Sequence, residues 1–380
     1  MPIYKIDRKR DGKQGYRVRI NFIDKSTGKN RQLERIAYGS DEAKNLEREL
    51  QYKLKERKPS QAITVGQLFD EYIAAKKHEV RETTTRKSMH VVKHHILPYF
   101  KDIKIGKLAP QNLQEWKIKI ENTKSLKGEN NLTIKTKKNI FNEFRTLLNY
   151  AVKMEYIKQN PIIKVGGFKD TSTVKKEIRF YTAEQFKKFA NCILKSAEEK
   201  NNLSEWGYYV FFCIAFYTGM RKGEIHALQW NDIKGDFISI KRSITQKLNG
   251  EDRTTPPKNK TSIRSLQIPT PLKRILEEHY NRCKKMERFK DSYLICGGVK
   301  SLRDTSIENR NIKFAKMAEI EKIRIHDFRH SHASLLANNN INIQEIARRL
   351  GHAKVDMTWN TYAHLYPREE ERAVQILNTI

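Results

Sequence analysis

Several absences in the sequence exclude whole classes of protein. Cysteine is scarce: Cys192, Cys213, Cys283 and Cys296 are widely spaced and form no Cys-x-x-Cys pair. That pattern argues against a disulfide framework and a zinc site, and leaves reduced thiols. Long apolar runs are missing too. The longest, Trp206 to Tyr217, is too short to span a bilayer and reads as a buried helix. The first residues, Met1-Pro2-Ile3-Tyr4-Lys5, lack the apolar stretch and cleavage site of a secretory signal, so a cytoplasmic location is expected. Acidic residues are also in short supply. Against 44 of them stand 75 lysines and arginines, and the net charge of +31 favours a polyanion as partner. A cationic membrane binder shares this bias but requires an amphipathic or anchoring segment. The 380 residues exceed one ordinary core and suit two or three domains of roughly 100 to 200 residues each.

Three regions follow along the chain, with no internal repeats. Tyr16, Val18, Ile20 and Phe22 alternate with Arg17, Arg19 and Asn21, the period of a half-buried strand. A turn cluster over Asp24-Lys25-Ser26-Thr27-Gly28 leads to a second strand from Arg31 to Tyr38. Ala43, Leu46, Leu50 and Leu54 then sit at helical spacing behind a cap at Ser40. Residues 1–58 are expected to form a three-stranded sheet packed on one helix. Arg17 and Arg19 share its polar face, which either lies in a DNA groove or is merely solvated.

Lys58-Pro59-Ser60-Gln61 reads as a linker. Over 62–162 the pattern is helical, with one stripe at Val65, Leu68, Phe69, Tyr72 and Ile73 and another at Ile140, Phe144, Leu147, Leu148, Ala151 and Val152. Between them lie Val91 to Phe100 and Leu113 to Ile120, so about four helices are expected. Arg86, Lys87, Lys93, Lys135, Lys137 and Lys138 are assigned to outer faces, as phosphate contacts or as solubilising charge. Asn160-Pro161 stops the last helix, and Gly166-Gly167 through Lys176 reads as a second linker. The third region, 175–380, opens with the helix start Thr182-Ala183-Glu184-Gln185 and contains one strand-rich stretch, Phe237 to Ile268. A tail helix over 367–380 is expected from the spacing of Ala373, Val374, Leu377 and Ile380. It docks either on a neighbouring subunit or on its own domain.

Four segments of the third region hold the candidates for chemistry. In Thr218-Gly219-Met220-Arg221-Lys222-Gly223-Glu224, Gly219 can end the buried helix and Arg221 open the next, where a guanidinium beside free amides suits a phosphate. Pro256-Pro257-Lys258-Asn259-Lys260 lies at a turn entering the strand of Leu266 and Ile268, and a lysine there can give a proton to a departing sugar oxygen. His326-Asp327-Phe328-Arg329-His330-Ser331-His332 begins a helix, and His326 and Arg329 at i and i+3 can address one phosphate. Metal binding by His326, His330 and His332 is the competing reading, disfavoured because no His-Glu-x-x-His pattern is present. Lastly, Leu350-Gly351-His352 ends one helix and Tyr362 rides on the next. That phenol, ordinarily of pKa about 10, needs positive charge from Arg221, Arg329 and the histidines to react. Ile341 to Tyr362 also admits a helix-turn-helix reading, which would leave Arg221 and the His326–Arg329 pair without a role.

Taken in order, Arg221, His326 with Arg329, His352 and Tyr362 resemble the signature of the tyrosine recombinases, specifically phage and conjugative-transposon integrases. Pro257-Lys258-Asn259-Lys260 resembles that family's lysine hairpin, with Lys258 favoured and Lys260 a substitute. The resemblance covers the whole chain. It implies a multidomain, mainly α protein: a small β-sheet plus helix that binds arm DNA, a helical SAM-like core-binding domain, and a mixed α+β, mostly helical catalytic domain. It implies a site-specific recombinase in which Tyr362 attacks a scissile phosphate, releases a 5′-hydroxyl, and passes through a Holliday junction in two rounds of exchange. No metal or other cofactor is required. The implied partners are double-stranded DNA at core and arm sites, a homotetramer on that DNA, an excisionase and a host DNA-bending protein, with no membrane involved. Two rivals remain, a non-catalytic DNA-binding regulator and a type IB topoisomerase-like enzyme.

Overall fold

The computed structural model describes residues 3–23, 30–56, 63–125, 128, 130–170, 178–246, 251–256, 260–366, 374–375 and 377–379. The chain divides into two compact units, Met1–Thr173 and Val174–Ile380. The first unit begins with an antiparallel meander of β1 (Ile3–Arg10), β2 (Lys13–Ile23) and β3 (Asn30–Tyr38), followed by α1 (Ser40–Glu56). Alternation decides its two faces. Val18 and Ala37 turn inward onto Ala43 and Leu50 of α1, whereas Arg17 and Arg19 turn outward. Glu34 is the cross-strand partner of Arg19 and takes ion pairs from both arginines, at 3.0 Å from Arg17 and 3.2 Å from Arg19. Leu54 and the linker at 58–61 fall outside what can be described of side chains and residues there.

The same unit holds α2 (Val65–Glu79), α3 (Glu82–His95), α4 (Leu97–Phe100), α5 (Pro110–Glu121) and α6 (Ile134–Lys153). Thr64 caps α2 through a reciprocal box with Gln67. The predicted stripes are the buried ones, and Phe100, Trp116 and Phe144 meet at ring distances of 5.1–6.1 Å in the core between them. Three sequence expectations need correction. Val91–Phe100 is not one helix, because α3 starts at Glu82 and the chain breaks before the single turn of α4, which has proline at its start. Lys137 does not sit on an outer face: it is buried and paired with Glu121 at 2.7 Å, since the α6 stripe is wider than its apolar residues suggest. Phe168 lies inside the expected second linker yet packs edge-on against Phe141 in the core. Arg86, Lys87, Lys93 and Lys135 are exposed, and Lys138 is half-buried near Asp170.

The second unit is built around α8 (Leu203–Thr218), which is buried along nearly its whole length. It is preceded by α7 (Ala183–Lys200), capped by Thr182 and Gln185 as the sequence predicts. After α9 (Lys222–His226) come the strands β4 (Ile233–Lys234), β5 (Phe237–Ile240), β6 (Ser243–Thr245), β7 (Arg253–Thr255) and β8 (Arg264–Gln267). They form a three-stranded sheet in the order β4-β5-β8 and a separate β6-β7 ribbon. The helices α10 (Thr270–Lys284), α11 (Asp304–Met317), α12 (Asp327–Asn338), α13 (Ile343–Leu350) and α14 (Asp356–Tyr362) complete it. Phe328 of α12 is fully buried against Phe189, Phe212 and Tyr181, which fixes the helix that carries the histidine motif. Among the described residues no helix is long and apolar enough to cross a membrane.

Candidate active site

Two glycines bring the site's arginines together. Gly219 ends α8 with φ +63° and Gly351 ends α13 with φ +65°, left-handed conformations in which a side chain would be strained. Each leaves helix C-terminal carbonyls pointing inward, with the partial negative charge that such ends carry. Arg329 on the first turn of α12 is buried and donates to two of them, Gly219 O at 2.8 Å and Leu350 O at 2.6 Å. Arg221, immediately before α9, donates to Gly351 O at 3.1 Å and to Glu224 at 2.9 Å.

Glu224 also receives Arg264 through both of that residue's terminal nitrogens, at 3.3 and 2.9 Å, and Arg264 in turn donates to Arg349 O at 2.6 Å. Burial pushes the Glu224 carboxyl up, but the hydrogen bonds and charges of Arg264 and Arg221 outweigh it and hold the group below its ordinary value. Arg221 and Arg264 thus share one carboxylate, while Arg329 rests on carbonyls alone. The cluster carries surplus positive charge, and a guanidinium has five donors, so some remain for an oxyanion.

His326 and His352 border this cluster. Burial, followed for His326 by the nearby His330 and Arg329 and for His352 by Arg329 and Arg221, pushes each imidazole down to about 4. His352 Nδ1 bonds Thr358 Oγ1 of α14 at 2.8 Å. His332 is turned to the other side, with Nδ1 on Phe216 O at 2.9 Å, and burial takes it down to about 3. His326 and His330 are ring neighbours at 5.3 Å while His332 bonds a backbone carbonyl of α8, and among the described residues no histidine, cysteine and carboxylate group is arranged to hold a metal ion.

Tyr362, at the end of α14, is only 1% exposed and packs with Ala333, Ala337, Ile346 and Leu350. Its hydroxyl bonds His330 Nδ1 at 2.5 Å. Here the sequence expectation is corrected. The histidines are neutral at pH 7 and contribute no charge, and burial raises the Tyr362 pKa further than Arg329 lowers it. In short, the structure brings Arg221, His326, Arg329, His352 and Tyr362 into one neighbourhood. Lys258 lies outside the described residues, as does the side chain of Lys260, so neither can be placed.

Comparison with known proteins bears on the same stretch. Residues 179–369 match the model of the phage integrase family, and residues 64–119 match that of the phage integrase N-terminal SAM-like domain. The chain belongs to the phage integrase family. As a member it is a site-specific tyrosine recombinase, a DNA strand transferase, and its mainly helical architecture with small sheets is that of the family. The family chain is 29% identical to the ICEBs1 integrase of Bacillus subtilis over 96% of its own length and 97% of the relative's. It is 31% identical to the integrase of Staphylococcus phage L54a, over 43% of this chain and 49% of that one. Among solved structures it resembles the Tn1549 transposon integrase in complex with a circular intermediate DNA, with TM-score 0.63 and 18% identity over 84% of this chain and all of that one. It also resembles a lambda integrase tetramer bound to a Holliday junction, with TM-score 0.52 and 17% identity over 93% and 96% of the two chains.

Sequence reasoning missed several residues of this neighbourhood. Glu224 was within reach, because i and i+3 from Arg221 share a helix face. His330 was weighed only as a metal ligand, although it stands one turn beyond His326. Arg264 and Thr358 meet the site only through tertiary packing, and no local spacing marks them.

Proposed function

We propose that Tyr362 is the nucleophile of this recombinase and that Arg221, Arg329, His326 and His352 hold the scissile phosphate. The observation that carries this reading is the buried phenol beside Arg329, a guanidinium with carbonyl partners only, in a site where Arg221 and Arg264 share a single carboxylate. Such fixed donors stabilise the charge that grows on the phosphate oxygens in the transition state. Neutral imidazoles at His326 and His352 suit hydrogen bonding to those oxygens. Attack forms a 3′-phosphotyrosyl bond and expels a 5′-hydroxyl, with Lys258 or Lys260 as proton donor to the leaving oxygen. Because the phosphotyrosyl bond conserves the energy of the phosphodiester, another strand's 5′-hydroxyl can reverse the step. Two such rounds pass through a Holliday junction and integrate or excise a mobile element.

The substrate in this reading is double-stranded DNA in the cytoplasm, with core sites contacted by Arg86, Lys87, Lys93, Lys135 and Lys138, and arm sites by Arg17 and Arg19. Four copies assemble on that DNA, assisted by an excisionase and a host bending protein. The tail at 367–380 would dock on a neighbouring copy, and its exposed Val374 and Leu377 suit that role. A nicked suicide duplex carrying the element end beside the gene tests the proposal. The intact protein should become covalently attached and Tyr362→Phe should not. Attachment by Tyr362→Phe, or relaxation of plasmids that lack any such site, would refute it.

A further inference from the structure

Tyr362 has an ionisation problem that the arginines do not solve. Its burial opposes the phenolate, and the nearby positive charge of Arg329 compensates only in part. A buried phenol in that position needs a proton acceptor within hydrogen-bond reach. His326 and His352, the imidazoles assigned to the phosphate, are not bonded to it. Among the described residues the partner of its hydroxyl is His330 Nδ1, at 2.5 Å, with the two rings 5.7 Å apart and tilted by 54°.

We infer that His330 accepts the proton of the Tyr362 hydroxyl during strand cleavage. This rests on the reading of Tyr362 as nucleophile. The placement of His330 suits the role on three counts. It follows Arg329 on α12, so the acceptor and a phosphate-binding arginine are fixed by one rigid helix packed through Phe328. It lies one turn from His326, whose ring meets it edge-on at 5.3 Å. And it is neutral, hence able to accept, because burial lowers its pKa. The charged and titratable groups around it are Asp327, which opposes that lowering, Arg324 and Arg329, which add to it, and His326 and Tyr362. Asp327 is itself held by Arg324 through hydrogen bonds to both carboxylate oxygens, at 2.8–3.2 Å.

In the step, the Tyr362 O–H bond breaks and its proton passes to Nδ1, giving an imidazolium. The phenolate oxygen bonds phosphorus as the bond from phosphorus to the 5′-oxygen breaks. The departing oxygen takes a proton from a lysine ammonium or water. On rejoining, a 5′-hydroxyl attacks phosphorus and gives its proton back to that lysine amine or hydroxide, the bond from phosphorus to the tyrosine oxygen breaks, and the imidazolium returns its proton to the phenolate.

A buried hydroxyl also needs a partner for purely structural reasons, so the test must separate holding from proton transfer. Asparagine places an acceptor oxygen near the position of Nδ1 but takes no proton at these pH values. Single-turnover cleavage of the nicked duplex carrying the element end is measured from pH 5 to 10 for the wild type, His330→Ala and His330→Asn, with melting and DNA affinity recorded alongside. The wild-type rate should rise with pH through one group titrating below an ordinary histidine and then level off. Both variants should lose about 100-fold or more at neutral pH. Their rates should keep climbing with pH as hydroxide replaces the imidazole, and His330→Asn should melt and bind DNA as the wild type does. Cleavage by His330→Asn within about threefold of wild type, or a variant profile parallel to the wild type's, overturns the inference. If His330→Ala fails to fold, His330→Asn alone decides. Tyr362→Phe separates the two readings: an adduct formed without this hydroxyl removes the nucleophile assignment, whereas a failed His330 arm with no Tyr362→Phe adduct removes only the proton acceptor.

Discussion

Replacing Glu224 with glutamine should be among the most damaging single changes in the second unit. The side chain is 5% exposed and so is that of Arg264, its bidentate partner, while Arg221 reaches the same carboxylate at 2.9 Å through its guanidinium and again at 2.9 Å through its backbone amide. Glutamine keeps the volume and one acceptor but leaves Arg264 buried without a counter-charge. Breaking a buried pair in this way costs about 3–5 kcal/mol. The same change at the exposed Glu345, paired with Arg348, should cost about 0.2–1 kcal/mol. Urea denaturation followed by circular dichroism measures both. Removing the pair altogether, as Glu224→Met with Arg264→Met, should recover part of the loss, because it leaves no buried Arg264 charge, while the half-exposed Arg221 still loses its carboxylate. The pH dependence gives a second check. The folded carboxyl is held below its unfolded value of about 4.3, so its stabilisation is complete above that value and disappears as pH falls through the lowered folded one. The gap between wild type and Glu224→Gln should therefore close in acid. A Glu224→Gln loss below about 1 kcal/mol, equal to that of Glu345→Gln, would refute the reasoning.

Three further outcomes are expected. Gly219→Ala should destabilise by more than about 1 kcal/mol and weaken phosphate binding, since φ is +63° and the added Cβ would lie 2.7 Å from His332 Cδ2, displacing the carbonyl that holds Arg329; unchanged melting would contradict this. Lys135→Ala should reduce the salt slope of DNA binding by about one unit with little effect on melting, whereas Lys137→Ala should lower melting by removing the packing of a buried side chain; the reverse pattern would move the DNA contact to Lys137. Acid should unfold the second unit early. His279, His326 and His352 are pushed down to about 4 and His332 to about 3, chiefly by burial, so the unfolded chain binds more protons below about pH 6.5, and stability should fall from there toward pH 4; a pH-independent melting temperature over that window would exclude neutral buried histidines.

Read from residues, the secondary structure was most accessible where periodicity and caps agree. Thr182 with Gln185, Gly219 and Gly351 mark helix ends by backbone chemistry that is local, and the apolar run from Trp206 to Tyr217 is buried because nothing on it seeks water. The reading faltered where partners are distant. Lys137 looked like solvated charge until Glu121, sixteen residues away, was brought against it. The long helix expected at Val91–Phe100 overlooked the proline that opens the turn of α4.

Sequence alone determined the kind of chemistry: the residue types, their order, the basic surplus and the helix ends marked by a cap or a glycine follow from composition and short-range spacing, which the chain carries in itself. Only the tertiary structure decided protonation and pairing. Whether an imidazole is charged, which distant arginine meets Glu224, and which histidine meets the Tyr362 hydroxyl depend on burial and on segments that are separate in sequence, 40 residues apart for Arg264 and Glu224, 32 for His330 and Tyr362 and 110 for Arg329 and Gly219. Desolvation and hydrogen-bond geometry exist only once those segments have packed.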